Sequence, residues 1–267
     1  MLIKKTLVKC YNFFYYLFIL KLLHFANIIS SLKNPRVRQI LRAKIHFAGD
    51  GVITSRPYGT FGELSNLLDE SLNTFTSKKI KSYDYIIWRA HIYSWCAKNA
   101  CKLNGDFVEL GVWYGMHAYH VCRSDFFIKS KKKFHLVDKF GFSENEANTF
   151  SKNVDKYKEP IIDLVKKRFS NTSAKFHQGM IPQILEKNKN ILPKKICFLS
   201  MDLNSAKYEK EGFEFLYSRI VPGGFVVIDD YSADGYSDTQ KYYDEFCKKN
   251  DLFILKTPFP SAIFIKN

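Results

Sequence analysis

Gly105-Asp106-Phe107-Val108-Glu109-Leu110-Gly111-Val112-Trp113-Tyr114-Gly115 decides how the rest of the chain is read. Phe107 and Val108 sit in a short apolar run with the character of a buried strand. Glu109 ends that strand, and Gly111 and Gly115 bracket the turn after it. An apolar strand entering a glycine turn and then a helix is how a doubly wound α/β sheet opens its ligand site. The spacing here is Glu-x-Gly-x-x-x-Gly, without the three close glycines that seat a pyrophosphate on a helix N-terminus.

The chain downstream repeats the unit. Met116–Phe127 reads as the first crossover helix, and Phe134–Val137 as a second strand ending in Asp138. An acid at that strand end is where such folds hold a ribose diol, because a carboxylate accepts both hydroxyl protons; the plainer alternative is an Asp opening a loop. Residues 143–172 are polar, helix-prone and longer than a crossover needs, which suggests that part of them forms a lid. Ala174–His177 reads as a third strand ending at Gln178-Gly179, followed by a short helix over 181–187. Ile196–Leu199 is a fourth strand running into Ser200-Met201-Asp202-Leu203-Asn204. A helix over 208–219, a turn at Val221-Pro222-Gly223-Gly224 and a fifth strand, Phe225–Ile228, lead to Asp229-Asp230. A helix over 238–249 and two last strands, 252–256 and 261–266, close the chain. The expectation is a doubly wound, Rossmann-like sheet of seven mostly parallel strands with helices on both faces.

In that order the fourth and fifth strands are neighbours about 4.8 Å apart, so Asp202 and the Asp229-Asp230 pair meet at adjacent carboxyl ends. Three unpaired carboxylates in one small volume raise each other's pKa. A hard divalent cation with oxygen ligands, Mg²⁺ above all, relieves the crowding. It would also lower the pKa of a bound hydroxyl. The competing reading makes Asp202 and Asp230 helix and loop caps. A site with an acid at the first strand end and few glycines suits a phosphate-free ligand with a cationic or hydroxyl-bearing part. S-adenosylmethionine meets that description.

Upstream, residues 82–102 carry Tyr85, Ile86, Trp88, Ala90, Ile92, Tyr93, Trp95, Cys96 and Ala97, the pattern of a helix packed by much of its surface. Arg89 lies within it, at the helix edge or reaching a ligand carboxylate. Residues 51–80 read as loop with a short helix near 62–70. These belong with the main domain, 51–267, and residues 1–50 form a helical extension. The run Tyr11–Leu20 follows Lys4, Lys5 and Lys9 but is broken by Lys21, lacks a small-x-small cleavage site and is too short to span a bilayer. Two readings of residues 1–45 are open: a basic, aromatic helix lying in a membrane interface, or one burying its apolar face in a homo-oligomer or against its own domain.

The 267 residues carry a formal charge of +15, are 46% hydrophobic and contain six cysteines with no C-x-x-C pair. The composition excludes a disordered chain and a disulfide or zinc framework, and the cysteines suit a reducing, cytoplasmic compartment, with the membrane's inner face as a contact for the extension. The charge draws in anionic partners, whether membrane, nucleic acid or acidic glycan, or is a solvated lysine surface. No Asn-Pro-Pro-Tyr-type segment follows the fourth strand, which argues against methylation of a nucleic-acid base.

The segments GDFVELGVWYG, FHLVDKFGF, KFHQGMIPQIL and FLSMDLNSAKYEKEGFEFLYSRIVPGGFVVIDDYSADGY resemble the macrocin O-methyltransferase (TylF/MycF-type) family over about residues 80–267. The resemblance implies a class I S-adenosylmethionine-dependent methyltransferase that methylates sugar hydroxyls with Mg²⁺. It implies cofactor contacts from Glu109, Gly111 and Asp138 and metal ligation by Asp202, Asp229 and Asp230. With the neighbours of those residues, the full set expected at the cofactor is Glu109, Gly111, Gly115, Asp138, Gln178 and Asp202. Two departures stand out. The family pattern Asp-x-Asp is here Asp202-Leu203-Asn204, and the family's catalytic His has no counterpart, since residues 139–172 contain none. Asp202 and, as a base beside a metal, Lys207 are then the catalytic candidates; His117, His120, His135 and His177 read as packing or capping residues, although His117 follows the glycine turn and could face the site. The expected function is methyl transfer to a hydroxyl of a sugar, glycan or related small molecule. The alternatives are a nucleic-acid methyltransferase and a membrane-tethered binding protein that kept the fold and lost the chemistry.

Overall fold

The computed structural model describes residues 84–141, 161–233, 235–257 and 260–267, with side chains from Arg89 onward. The chain divides into two units between Arg56 and Pro57, and every described residue belongs to the second. The expectations for residues 1–83, including the helical extension and its membrane contact, and for 143–160 lie outside the described residues.

The elements follow one another as α1 (Asp84–Ala100), β1 (Asp106–Leu110), α2 (Met116–Arg123), α3 (Asp125–Ser130), β2 (Phe134–Asp138), α4 (Ile162–Arg168) and β3 (Ala174–Gln178). Then come α5 (Gln183–Lys187), β4 (Ile196–Met201), α6 (Ala206–Tyr217), β5 (Ile220–Ile228), α7 (Ser237–Lys249), β6 (Leu255–Lys256) and β7 (Ala262–Ile265). The sheet order is β3-β2-β1-β4-β5-β7-β6. Strands β1 to β5 run parallel, and β7 pairs antiparallel with both β5 and β6. This is the doubly wound, mostly parallel, seven-stranded sheet expected from the sequence.

Both sheet faces are apolar because both are covered. On one face Phe107, Phe134, Leu136, Phe198 and Val227 pack with α1 to α4 through Tyr93, Ala97, Val121, Phe127 and Val165. On the other, Val108, Leu110, Val137, Leu199, Val226 and Phe264 pack with α5 to α7 through Leu185, Phe213, Leu216 and Tyr243. Cys96, Cys122, Cys197 and Cys247 are buried and free, as small apolar residues are.

Four local expectations are corrected. The helix over 116–127 is two helices, because Ser124 is extended (φ −74°, ψ 143°) and its hydroxyl donates to the Val121 carbonyl at 2.6 Å. Strand β5 starts at Ile220 rather than at Phe225: the Gly-containing stretch stays in the sheet as an irregularity, with Ile196 opposite Ile220 and Phe198 opposite Phe225. The lid expected from part of residues 143–172 takes in none of residues 161–172, where Ile162, Val165 and Phe169 are buried core. The strand over 252–256 shrinks to two residues at the sheet edge.

Glu109 does not end β1; Leu110 does. The chain order reverses between β1 and β4, and the loops leaving their carboxyl ends touch. The Asp202 N–H donates to the Leu110 carbonyl at 2.8 Å, and the Gly111 N–H to the Val137 carbonyl at 3.0 Å. A Cβ on Gly111 would stand 1.8 Å from the Asp202 carbonyl oxygen, and its φ is +82°. Gly111→Ala therefore combines strain with an overlap of backbone atoms and is expected to cost at least about 3 kcal/mol. Gly223→Ala, with φ +80° but no heavy atom nearer than 3.5 Å to its Cβ, is expected to cost about 1 kcal/mol. Urea unfolding of both variants checks this, and equal losses would remove the close β1–β4 approach as a constraint.

Candidate active site

The sheet register assembles the site. Met201 pairs with Ile228, so the next residues, Asp202 and Asp229, emerge side by side. The Asp229 N–H continues the ladder by donating to the Met201 carbonyl at 2.8 Å. Asp230 then takes a left-handed conformation, φ 51°, tolerated by a short polar side chain, and turns back toward its neighbours. One carboxylate oxygen from each of Asp202, Asp229 and Asp230 lies within 4.8 Å of the others. The expected convergence of the three acids is therefore present.

Helix α1 roofs this cluster. The Arg89 guanidinium bridges two of the acids, with Nη1 2.8 Å from Asp229 Oδ2 and Nη2 3.1 Å from Asp230 Oδ1. The carboxylates within its reach are thus the protein's own. Asp229 Oδ1 accepts from the Ser261 hydroxyl at 3.0 Å. The Tyr93 hydroxyl, one turn further along α1, donates to Glu109 Oε2 at 2.7 Å. Glu109 points from β1 toward α1 and is 4% exposed.

A cavity of about 20 Å³ lies beneath Arg89, lined also by Tyr93, Glu109, His117, Asp202 and Asp229. That is room for one water-sized body. Burial raises the pKa of Asp202 well above the usual carboxylate range, Asp229 raises it further, and Arg89 opposes the rise. Burial and Asp230 likewise raise Asp229, against the pull of Arg89 and the Ser261 hydroxyl. Glu109 is pushed up to about 8, first by burial, against the Tyr93 hydrogen bond. His117 stacks on Tyr93 with ring centroids 5.2 Å apart, and burial with the nearby Arg89 charge pushes it down to about 3.

The cofactor-side residues gather at the same edge. Asp138 Oδ2 accepts from the backbone N–H groups of Val112 (2.6 Å) and Trp113 (2.8 Å), and Oδ1 accepts from the Phe140 N–H. The acid thereby ties the glycine turn to β2, and its oxygens keep lone pairs for a diol. Gln178 sits beside it in register, exposed, with Nε2 3.4 Å from the Lys139 carbonyl. Gly115 opens α2 at φ 70°, and a Cβ there would lie 2.8 Å from the Phe169 ring, so this glycine also admits α4 packing.

Lys207 is corrected. Its side chain is 72% exposed, its ammonium is 4.0 Å from Glu211, and it lines a separate hollow with Met180, Gln183 and Tyr208. Helix α6 turns Glu209, Gly212, Phe213 and Leu216 inward, which sends Lys207 out. Glu209 is the buried member, accepting from the Leu203 N–H (2.8 Å) and the Tyr243 hydroxyl (3.0 Å). Asn204, the departure from the family pattern, accepts from the Tyr236 hydroxyl at 2.7 Å and turns its amide toward Asp202 Oδ1 at 3.5 Å. An Asp there would present a fourth carboxylate instead of a donor.

Sequence reasoning missed Tyr93, Ser200, Thr257 and Ser261, all of which line the cavity. Ser200 alone carried a signal, a hydroxyl inside the apolar run Ile196–Met201. Tyr93 reads as one more apolar helix residue, and Thr257 and Ser261 sit in a short hairpin with no local mark.

The sequence matches the macrocin O-methyltransferase (TylF) family over residues 95–255. The chain belongs to that family. It is a methyltransferase, and the acid cluster and the glycine turn both lie within the matched span. No curated relative matches the sequence. Among solved structures, the O-methyltransferase NovP shares 17% identity at a TM-score of 0.56, with 88% of this chain and 100% of that chain covered. CalS11, a calicheamicin methyltransferase, shares 12% identity at a TM-score of 0.52, covering 76% and 92%. An O-methyltransferase from Bacillus cereus in complex with SAH has the same identity and TM-score, covering 78% and 97%. At these identities the likeness is one of fold.

The residues fit a cation: three carboxylate oxygens close together, two of the acids with raised pKa values, are the donor set a hard ion takes, at about 2.0–2.1 Å for Mg²⁺. They also fit a nucleoside donor, with Asp138 held at the rim of a turn where side chains are excluded at Gly111. Glu109 supplies a pH signature. Its folded pKa lies above the unfolded value, so its contribution is full below about 4.5 and is lost as pH rises toward about 8. Relative to Glu109→Gln, the wild type is expected to lose stability across that window by up to about 1.4 kcal/mol per pH unit. Thermal melts of the two proteins at stepped pH test it; parallel curves would mean that Glu109 is not protonated in the folded state.

Proposed function

We propose that this TylF-family protein transfers the methyl group of S-adenosylmethionine to a hydroxyl of a sugar or glycan, with a divalent cation, Mg²⁺, held by Asp202, Asp229 and Asp230. The observation that carries this reading is the convergence of those three acids within 4.8 Å, beside a glycine turn tied down by Asp138. The sugar acceptor follows from the family resemblance.

When bound, the donor supplies an electrophilic sulfonium methyl, and the cation supplies Lewis acidity that lowers the pKa of a hydroxyl. The chain does the rest by positioning. Asp229 is fixed by Ser261 and Asp202 by its place in the β1–β4–β5 register, so their oxygens need little reorganisation. Asp138 is the residue for the ribose diol. Gly111 lets the turn lie close to the β4 loop. Tyr93 and Glu109, bonded to each other, form the floor of the cavity. Glu109 holds a proton near neutral pH and adds no fourth negative charge there. His117, kept neutral by burial, presents a ring to the same space without repelling a cation. Asp202, as a ligand of the cation, would be ionised, and its N–H bond to the Leu110 carbonyl keeps it beside the glycine turn.

The test uses full-length protein, methyl-labelled S-adenosylmethionine and an extract containing free sugars, nucleotide sugars, glycans and RNA. Label is expected in the carbohydrate fraction. It should fall by at least about 100-fold on chelation of divalent ions and in Asp229→Asn, with donor binding retained by calorimetry. Turnover unmoved by both treatments would remove the metal from the mechanism, and label confined to RNA would replace the acceptor.

A further inference from the structure

We infer that Arg89 is the resident counter-cation of the acid cluster, and that a divalent ion enters by displacing its guanidinium from Asp229 and Asp230. This rests on the reading of those acids as metal ligands and adds a step to it.

The geometry supports an exchange. Arg89 spans two carboxylates with two separate N–H groups, at 2.8 and 3.1 Å. A cation held by Asp229 and Asp230 would compete with the guanidinium for the same carboxylates. The cavity beneath is about 20 Å³, enough for one water and too small for a Mg²⁺ that keeps several of its waters. Some wall of the cavity has to move. Glu109, Ser200, Asp202, Val227 and Asp229 belong to the sheet or its immediate continuation and are held by ladder hydrogen bonds. Tyr93 is tied to Glu109 and packed in the core. Arg89 is the long unbranched side chain in the lining, and it is 20% exposed at the solvent side, so it has a route out.

Charge gives the exchange its direction. Three aspartates facing one guanidinium remain a net sink for positive charge, and a dication satisfies it better than a monocation. The two cations side by side would repel strongly in a half-buried site. Without any counter-charge, the desolvated acids would be costly to keep together. Arg89 thus lets the site fold before metal arrives and makes it release a side chain when metal binds.

The experiment has two arms on full-length protein without the methyl donor. In the first, phenylglyoxal modification of Arg89 is followed by peptide mass spectrometry, with the other arginines as internal reference. Modification is expected to be slow in EDTA and several-fold faster at saturating Mg²⁺. In the second, Mg²⁺ titration by calorimetry compares wild type, Arg89→Gln and Arg89→Lys. Arg89→Gln is expected to bind Mg²⁺ about tenfold more tightly than wild type, and Arg89→Lys, which keeps the charge but lacks the fork, to lie between them. Mg²⁺ binding with Arg89 reactivity unchanged would overturn the displacement and leave the metal reading standing. Binding by Arg89→Gln but not by wild type would also overturn it, making Arg89 a permanent occupant. Binding by neither protein would remove the metal reading itself.

Discussion

Like charge gathered at one sheet edge is the constraint on which the rest of this structure depends. Asp202, Asp229 and Asp230 converge within 4.8 Å, with Glu109 buried beside them. In water such a cluster disperses; in a half-buried crevice it persists only with compensation. The chain compensates in several ways at once. Arg89 brings an opposite charge from another layer, Ser261 brings a hydroxyl to Asp229, and Glu109, its pKa raised by burial, accepts from Tyr93. Each of these is a different chemical answer to the same repulsion.

The fold explains why the acids cannot drift apart. Parallel pairing in strict register fixes Asp202 one residue beyond the Met201–Ile228 pair, so the separation of the first two acids is a sheet property and owes nothing to loop conformation. The third acid depends on a single left-handed residue, Asp230. The close approach at Gly111 draws the donor side of the site against the same edge. In a doubly wound sheet the chain reverses its order between β1 and β4, and the crevice opens there. Among the described residues, Asp138, Glu109, Asp202, Asp229 and Asp230 lie at or near the carboxyl ends of four adjacent strands, β2, β1, β4 and β5, and α1 brings a guanidinium and a phenol to them.

Membership of the macrocin O-methyltransferase family makes the missing His and the Asn204 substitution informative. Asn204 links Tyr236 to Asp202 through an amide, which turns an acceptor position into a donor and steadies Asp202. Lys207 stands apart from the acid cluster, because helix periodicity directs it to solvent. The nearest imidazole is His117, neutral and stacked on Tyr93, which gives the cavity an aromatic wall in the place of an added charge.

By itself the sequence determined the sheet. Apolar runs of strand length, each followed by a glycine or an acid, mark the central strands β1, β2, β4 and β5, because a strand covered on both faces has to be apolar throughout. The three acids were legible for the same reason: Asp202 and Asp229 stand immediately after such runs, Asp230 is next in the chain, and adjacent parallel strands end together. The glycine turn and Asp138 were legible as punctuation of β1 and β2. The break at Ser124, the start of β5 at Ile220 and the outward turn of Lys207 were not, because each depends on which neighbour a segment packs against. Tertiary structure alone decided the partners of the acids. Arg89 and Ser261 lie 140 residues before and 32 residues after Asp229, and Tyr93 reaches Glu109 across two layers. No local pattern marks such residues, since their role comes from where folding carries a hydroxyl or a guanidinium, and a helix that crosses the end of a sheet carries them to the one place where negative charge has to be answered.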